Sequence, residues 1–392
     1  MKDGSNKYIL DSLKLPIMES IEDFAYQTSL SEKLLYFLST EATTDKYETF
    51  FIKKKSGSLR EINAPIYSLK IIQRWILENI LYRMKVSDNC YGFEKTKKGS
   101  PTVANVKQHN NNTYIFKMDV KDFFPSVKRE RIFYLFKAVG YNNYISNVLS
   151  NFCTYNEHLP QGAVTSPRLA NLVCYKLDNR IEKYCTKREI VYTRYADDLT
   201  FSSNNRNILR NIHGMISKIL MDEGFTPNED KTNFMTPKSH KSITGITVND
   251  RLIKAPKQSK KLVRAMIHHA VVSGNYSNSN KIRGYISYIN SIEPGYKDKM
   301  LCYINGFKDD SITLFGDAVA AFNSHKIYKD IDDLTEHKAT DFVKYTEADE
   351  YVDMMYRERE EFLIKHEYIE AEDSTLCDAD ITVISDDSEL PF

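Results

Sequence analysis

The strongest constraint on the fold is the stretch formed by residues 191–202, in which two runs of β-branched and aromatic residues flank an Ala-Asp-Asp sequence. Such runs favour strands, and the short segment between them favours a tight turn, so the stretch predicts a hairpin with Asp197 and Asp198 at its turn. Adjacent carboxylates repel each other, and a hard divalent cation such as Mg²⁺ would relieve that repulsion. A solvated turn is the alternative, because Asp is common in turns.

A third acid lies upstream, at the end of another apolar run. Residues 114–118 lead into Asp119, and a Phe-Phe-Pro-Ser corner at residues 123–126 ends the run. If this run is a strand beside the hairpin, Asp119 lies next to Asp197 and Asp198. Three carboxylates at two strand ends are what a two-metal nucleotidyl-transfer site needs, because one ion activates the attacking hydroxyl and the other stabilises the leaving pyrophosphate.

Both segments resemble those of reverse transcriptases. Residues 195–198, Tyr-Ala-Asp-Asp, resemble the family's Tyr-x-Asp-Asp motif, and Asp119 with the following Phe123-Phe124 resembles its first catalytic strand. The resemblance implies template-directed addition of dNTPs to a hydroxyl, with two Mg²⁺ ions as cofactors. The metal ligands that it implies are Asp119, Val120, Asp197 and Asp198.

Further motifs follow in the order of the family. Residues 160–162, Pro-Gln-Gly, with Ser166-Pro167 resemble the loop that contacts the nascent base pair, and Lys231 aligns with a lysine proposed to protonate the pyrophosphate. In the family, an aromatic ring at the position of Phe124 excludes a 2′-hydroxyl; alternatively, Phe124 is only a core aromatic residue. Lys231 is alternatively an ordinary surface lysine. The nucleotide contacts implied by the resemblance are Arg60, Phe124, Gln161, Gly162 and Tyr195.

Two segments resemble elements of the retron subfamily. Residues 105–109, Asn-Val-Lys-Gln-His, resemble the retron Asn-Ala-x-x-His element, and residues 243–245, Ile-Thr-Gly, resemble its Val-Thr-Gly element. Retron enzymes prime DNA synthesis from the 2′-hydroxyl of a guanosine in their own noncoding RNA and leave a branched product. We therefore expect four partners: the cognate noncoding RNA as template and primer, its DNA product, dNTPs, and an effector protein encoded nearby that acts in antiphage defence.

Charge is distributed unevenly along the chain. Residues 331–392 contain twenty Asp and Glu against five Lys and Arg, a net charge of −15, whereas residues 1–330 carry +16. A basic body is typical of nucleic-acid-binding proteins. In the region after residue 255 we predict a helix with a basic face and with Leu262, Ala265 and Met266 opposite. The predicted RNA contacts are Asn105, His109, Lys257, Lys260, Lys261, Arg264 and Arg283.

We predict an α+β chain with the right-hand polymerase architecture of fingers, palm and thumb, in which an antiparallel sheet forms the palm. The capping-box spacing of residues 29–32 predicts a helix start within a helical N-terminal region. The predicted limits are 1–49 for the N-terminal helical region, 50–113 and 128–154 for the fingers, 114–127 and 155–250 for the palm, 251–320 for the thumb and 321–392 for an acidic C-terminal extension.

The remaining sequence features bear on location and on rival functions. No apolar run approaches a membrane span, residues 1–6 have no signal-peptide core, and the six cysteines form no Cys-x-x-Cys pair. We expect a cytoplasmic protein with reduced thiols and no membrane partner. Two alternatives stay open: an intron-type or other bacterial reverse transcriptase, and an RNA–DNA scaffold that restrains a toxic effector, a role for which the acidic tail is the supporting feature.

Overall fold

The computed structural model describes residues 4–40, 46–54, 57–94, 99–249 and 252–305. Their contacts form two compact units: the first contains the described residues before Val86 together with Phe124–Val173, and the second contains Val86–Phe123 and the described residues from Cys174 onward. The acidic extension predicted for residues 321–392 lies outside the described residues. The predicted domain limits stay a prediction.

The described secondary structure alternates helices and short strands. The helices are α1 (Lys7–Ser12), α2 (Ile21–Thr28), α3 (Glu32–Ser39), α4 (Tyr67–Asn79), α5 (Pro101–His109), α6 (Phe123–Ser126), α7 (Arg129–Ala138), α8 (Asn143–Cys153), α9 (Ser166–Val173), α10 (Tyr175–Thr186), α11 (Arg206–Arg210), α12 (His213–Asp222), α13 (Lys257–Ser273), α14 (Ser279–Ile292) and α15 (Tyr296–Asn305). The strands are β1 (Tyr47–Lys53), β2 (Leu59–Pro65), β3 (Tyr114–Lys121), β4 (Val191–Tyr195), β5 (Asp198–Ser203), β6 (Thr226–Pro227), β7 (Asn233–Met235), β8 (Ser242–Ile243), β9 (Ile246–Asn249) and β10 (Leu252–Lys254).

The first unit combines the N-terminal helices with the β1–β2 hairpin and helices α4 and α7–α9. The aromatic rings of Phe24, Trp75 and Phe152 meet in its core, with centroids 5.2 Å and 5.6 Å from that of Phe24. Gln73 is fully buried and satisfies its amide by donating to the Phe152 carbonyl and to the Tyr47 hydroxyl. The N-terminal region is helical as predicted, but it consists of three short helices.

The helix start predicted at residues 29–32 is confirmed, because α3 begins at Glu32, but the capping box itself is absent. Ser29 ends α2 in the left-handed conformation, and the side chain of Ser31 makes no capping hydrogen bond at the start of α3. The capping box lies instead at α2, where Ser20 and Asp23 bond each other's backbone amides. Capping-box spacing alone cannot distinguish these sites, because Ser and Thr also occur at helix ends and in turns.

A five-stranded antiparallel sheet forms the centre of the second unit. β3 lies in the middle, with the β5–β4 hairpin on one edge and β6 and β7 on the other. β3 is buried on both faces, since Ile115 is buried on one face and Phe116, Met118 and Val120 are buried on the other. The predicted strand–turn–strand at residues 191–202 is confirmed, since Tyr195 pairs with Asp198 across the turn.

The alternation of side chains along each strand gives this sheet two different faces. Phe116, Phe201, Tyr192 and Arg194 lie on the face that meets α10, as the hydrogen bonds from Tyr192 and Arg194 to Asp178 show. The opposite face meets α5. Its members are Ile115, Lys117, Asp119, Thr193, Tyr195, Asp198, Thr200 and Ser202.

A helical region follows the sheet in the second unit. The β8–β9 hairpin turns through Thr244 and Gly245, both with positive φ, which explains the Thr-Gly pair in the sequence. Helices α13–α15 then pack on one another over an apolar core shared with β3, β7 and α5. The buried residues of α13 are Val263, Ile267, Ala270 and Val271. The predicted apolar face was wrong, because Leu262 and Ala265 are exposed.

Neither disulfides nor membrane helices feature in the described chain. Within it, no helix combines the length and the hydropathy needed to cross a bilayer. Five cysteines are free thiols, in agreement with the prediction, while Cys377 lies outside the described residues. They are Cys90, Cys153, Cys174, Cys185 and Cys302.

Helix α5 is joined to the β4–β5 hairpin by a buried histidine. Both ring nitrogens of His109 lie 2.7 Å from hydroxyls, Nδ1 from Ser202 Oγ and Nε2 from Thr193 Oγ1. Burial lowers the pKa of His109 from 6.5 to about 3. The folded protein therefore keeps this ring neutral at pH values where the unfolded chain would protonate it.

We expect this histidine to make the fold sensitive to acid. Its folded pKa lies below its unfolded value, so its contribution to stability is complete above about pH 6.5. That contribution is lost as the pH falls toward 3, by up to about 1.4 kcal/mol per pH unit. Denaturant unfolding at about pH 7.5, 6 and 5 measures the free energy of unfolding of the wild type and of His109→Gln. We expect the difference between the two proteins to shrink as the pH falls. The exposed His269→Gln is the control; a pH-independent difference for His109→Gln contradicts the prediction.

Candidate active site

The three predicted carboxylates converge on one face of the central sheet. The register places Asp119 of β3 directly opposite Asp198 of β5. Asp197 occupies the turn, where its carbonyl accepts a hydrogen bond of 3.0 Å from the Val120 amide. The end of β3 is thus tied to the turn, and the acids of two separate strands form one cluster.

The carboxylate of Asp119 is almost fully buried and is held on both oxygens. Its Oδ1 accepts from the Asn228 amide nitrogen at 2.9 Å, and its Oδ2 accepts from Lys231 Nζ at 3.1 Å. The backbone amide of Asn228 also donates to the Asp119 carbonyl at 2.8 Å. Both partners belong to the short 3₁₀ turn after β6, which fixes the orientation of this acid.

The electrostatics of the cluster are dominated by burial and mutual repulsion. Burial, then the charges of Asp198 and Asp119, raise the pKa of Asp197 from 3.8 to about 6. Burial also raises the pKa of Asp198, against the opposing charge of Lys117, whose Nζ lies 3.8 Å from Asp198 Oδ2. Two lysines therefore neutralise part of the negative charge, one at Asp119 and one at Asp198.

This donor set fits a hard divalent cation. All the side-chain donors are carboxylate oxygens, and burial followed by the charges of neighbouring carboxylates raises the pKa values of Asp197 and Asp198, a cost that a cation would relieve. Among the described residues, no three Asp, Glu, His or Cys side chains are gathered closely enough to form a complete metal site.

Lys231 lies beside the carboxylate cluster, where its Nζ donates to Asp119 Oδ2 at 3.1 Å. Burial acts to lower its pKa, but the Asp119 carboxylate, followed by Asp197 and Asp198, outweighs it and raises the pKa above its usual value. The side chain therefore stays protonated beside the cluster. Its assignment as general acid stays a prediction.

The predicted nucleotide contacts are divided between the two units. Gln161, Gly162, Arg60 and Phe124 belong to the first unit, whereas Tyr195 lies at the end of β4 in the second. The Gln161 carbonyl accepts from the Asn63 amide at 2.7 Å. Their roles stay predictions.

Gly162 has a clear steric requirement within the first unit. Its φ is +120°, and a Cβ there would lie 2.8 Å from the Asn63 carbonyl oxygen. A side chain at this position would therefore push the loop away from β2. The glycine of the Pro-Gln-Gly motif is thus explained by backbone geometry.

The structure corrects two of the predicted RNA contacts. Asn105 and His109 have no exposed surface, so their side chains cannot touch RNA, and His109 instead bonds the two strands of the β4–β5 hairpin. Lys260 is engaged by Glu293 at 2.7 Å. Lys257, Lys261 and Arg264 are exposed and Arg283 is half-buried, and their contacts with RNA stay predictions.

Several functional candidates were missed from sequence alone. Lys117 and Asn228 flank the carboxylates, and Asp178 and Arg194 form a fully buried ion pair behind the turn. Arg194 directly precedes the Tyr-Ala-Asp-Asp sequence, which is a usable signal, and Lys117 is two residues before Asp119 on the same strand face. Nothing in the sequence links Asp178 to the turn, since the pairing depends on packing of α10.

We expect Lys117 to weaken metal binding, because its charge competes for Asp198. In Lys117→Met, Mn²⁺ binds about three- to tenfold more tightly, as expected for loss of one unit charge near a partly exposed carboxylate. Isothermal titration calorimetry of the nucleic-acid-free protein with Mn²⁺ measures this affinity. Lys107→Met on the exposed side of α5 is the matched control. Unchanged or weaker binding in Lys117→Met would show that Lys117 does not compete.

Comparison with known proteins identifies the family. A family model described as reverse transcriptase (RNA-dependent DNA polymerase) matches residues 52–260, just over half of the chain. The retron Ec86 reverse transcriptase of Escherichia coli is 35% identical over 302 residues, covering 76% of this chain and 93% of that protein. The retron Mx65 reverse transcriptase of Myxococcus xanthus is 30% identical over 308 residues, covering 73% of this chain and 71% of that protein.

Among solved structures, a telomerase from Candida albicans in complex with a fragment of telomeric RNA aligns with a TM-score of 0.43 at 13% identity. That alignment covers 79% of this chain and 62% of the telomerase chain. The family match agrees with the predicted right-hand polymerase fold and with the carboxylate cluster on the sheet. The chain belongs to the retron-type reverse transcriptases, which are RNA-directed DNA polymerases.

Proposed function

We propose that this reverse transcriptase copies its own structured noncoding RNA into single-stranded DNA and starts from a 2′-hydroxyl of that RNA, giving a branched RNA–DNA molecule. The observation that carries the proposal is the carboxylate cluster of Asp119, Asp197 and Asp198 in a chain 35% identical to a retron reverse transcriptase. The retron-like segments at residues 105–109 and 243–245 support it further. The enzyme acts in antiphage defence together with an effector protein encoded nearby.

Reverse transcriptases depend on divalent metal ions, and we infer that two Mg²⁺ ions serve here. When bound, such ions activate the attacking hydroxyl and stabilise the departing pyrophosphate. The side chains of Asp119, Asp197 and Asp198 would hold them, with the Val120 carbonyl as a further ligand. Oxygen-only ligands and the mutual repulsion of the acids support this assignment.

The other site residues bind and orient the substrates. Arg60 neutralises the triphosphate, Gln161 and the Gly162 backbone contact the incoming nucleotide, and Phe124 packs under its sugar. Tyr195 is a further nucleotide contact. Positioning and charge neutralisation supply most of the rate enhancement in this kind of site. Lys231, protonated beside Asp119, delivers a proton to the pyrophosphate oxygen as it leaves.

RNA recognition depends on the shape of the folded RNA and on its phosphates. Structured RNA is read largely through its backbone and 2′-hydroxyls, which basic side chains can bind. On α13 the exposed side chains of Lys257, Lys261 and Arg264 supply such a surface, and Arg283 on α14 adds another cation. This basic surface supports binding of a stem-loop by the helical region.

We expect nucleic acid to copurify with the protein when it is expressed from its native locus. The wild type carries a small single-stranded DNA joined to RNA by a 2′–5′ link, which digestion with RNase, DNase and debranching enzyme identifies. The Asp197→Asn/Asp198→Asn variant carries no DNA, because two neutral carboxamides cannot replace the carboxylates that hold the metals. Asp11→Asn, an exposed acid of α1, is the control and behaves as wild type.

Two other outcomes would contradict the proposal. RNA alone in both the wild type and the double variant indicates a protein that binds RNA as a scaffold without copying it. Absence of nucleic acid from both samples, with extension of an added oligonucleotide primer, indicates an intron-type or other bacterial reverse transcriptase. Phage plating on cells that carry the wild-type or double-variant locus tests the defence role, since the variant loses protection if DNA synthesis is required.

A further inference from the structure

A fully buried ion pair lies directly behind the catalytic turn. Arg194 of β4 and Asp178 of α10 both have side chains with no exposed surface. The guanidinium binds the carboxylate through two hydrogen bonds of 2.8 Å, from Nε to Oδ1 and from Nη2 to Oδ2. The Tyr192 hydroxyl donates to the same Oδ1 at 2.8 Å. The carboxylate therefore holds the plane of the guanidinium in one orientation.

The third contact of the guanidinium reaches the catalytic turn itself. Arg194 Nη1 donates to the Ala196 carbonyl oxygen at 3.1 Å. Ala196 has φ of +56°, a left-handed conformation that is unfavourable for a residue with a Cβ by about 1–2 kcal/mol. Such a conformation persists only when its surroundings hold it. The next two residues are the catalytic Asp197 and Asp198, so the orientation of this peptide determines where their carboxylates point.

The same turn is enclosed on another side by the backbone of residues 89–92. The Arg194 amide donates to the Asn89 carbonyl at 2.8 Å, and the Tyr91 amide donates to the Arg194 carbonyl at 2.9 Å. A Cβ added to Gly92 would lie 2.4 Å from the Ala196 nitrogen. Residues 89–92 therefore pack against the turn through their backbone.

Stability alone does not account for a charged pair at this place. Burial would lower the pKa of Arg194, but the Asp178 carboxylate outweighs it and holds the pKa well above its usual value, so the guanidinium is charged. Replacing a buried ion pair by apolar side chains of similar volume is often neutral or stabilising. Apolar side chains would fill the same space but could not donate to the Ala196 carbonyl.

We propose that Arg194, oriented by Asp178, is a positioning residue that fixes the Ala196 peptide and thereby aims the Asp197 and Asp198 carboxylates at the substrate. Arg194 acts through the turn and does not touch substrate. The ion pair thus connects helix α10 to the geometry of the active site.

The test replaces the pair by apolar residues of similar size. Arg194→Met/Asp178→Leu is expected to keep a thermal midpoint close to that of the wild type. Its kcat for dNTP incorporation on an added RNA template with a DNA primer falls about 10- to 100-fold, as expected for carboxylates displaced by a fraction of an ångström to an ångström. The KM for dNTP changes little, because the substrate-binding side chains are untouched.

Two further variants make the result specific. Arg180→Met/Asp222→Leu carries the same substitutions on a half-exposed ion pair that joins Arg180 of α10 to Asp222 of α12 at 2.8 Å, and it keeps the wild-type kcat. Arg194→Lys keeps a cation beside Asp178 but cannot bind both Asp178 oxygens and the Ala196 carbonyl at once, so its kcat also falls with an unchanged KM. Binding of Mn²⁺ to the nucleic-acid-free protein gives a readout independent of turnover, and we expect it to weaken severalfold in both Arg194 variants.

The proposal is overturned if Arg194→Met/Asp178→Leu folds and keeps the wild-type kcat and Mn²⁺ affinity. It is also overturned if the double variant unfolds while Arg194→Lys folds with wild-type kcat, because the pair would then serve stability only. Because the assay supplies its own RNA template and DNA primer, its result does not depend on whether the protein recognises and primes from its own noncoding RNA. Failure of the 2′-hydroxyl priming proposal therefore leaves the result for Arg194 intact.

Discussion

Repulsion among three carboxylates is the constraint on which the rest of this active site depends. Asp119, Asp197 and Asp198 share one end of one sheet face, and the pKa of Asp197 is raised to about 6 by burial and by its neighbours. An arrangement of this kind is costly unless positive charge is supplied. The protein supplies it through Lys117 and Lys231, and a divalent cation would supply more.

The support around the cluster is made of backbone and buried polar contacts rather than of apolar packing alone. The Val120 amide, the Asn228 side chain and the Arg194 guanidinium each bond a different part of the carboxylate-bearing segments. Each contact has a direction, whereas apolar packing has almost none. Directional contacts suit carboxylates that must keep a defined orientation to hold a divalent metal ion.

The retron-like segment at residues 105–109 has a structural role in the folded protein. It forms the end of α5, and His109 bonds both strands of the catalytic hairpin through Thr193 and Ser202. Thr102, earlier on the same helix, donates to the Tyr195 hydroxyl at 3.4 Å. The helix therefore follows the hairpin toward its catalytic end and braces the sheet from the face opposite α10.

The sequence by itself determined the hairpin, the third acid and the family, because strand periodicity, turn residues and adjacent acids are local signals. It also indicated Gly162 and Lys231 through motif order. Only the tertiary structure decided that Asp119 lies opposite Asp198, that Lys117 neutralises Asp198, and that Arg194 joins Asp178 to the turn. The tertiary structure also corrected the prediction for His109: the sequence predicted a contact with RNA, but the folded protein buries this side chain. These pairings join residues that are distant in the chain. Strand register and helix packing create the pairings, and neither leaves a local pattern in the sequence.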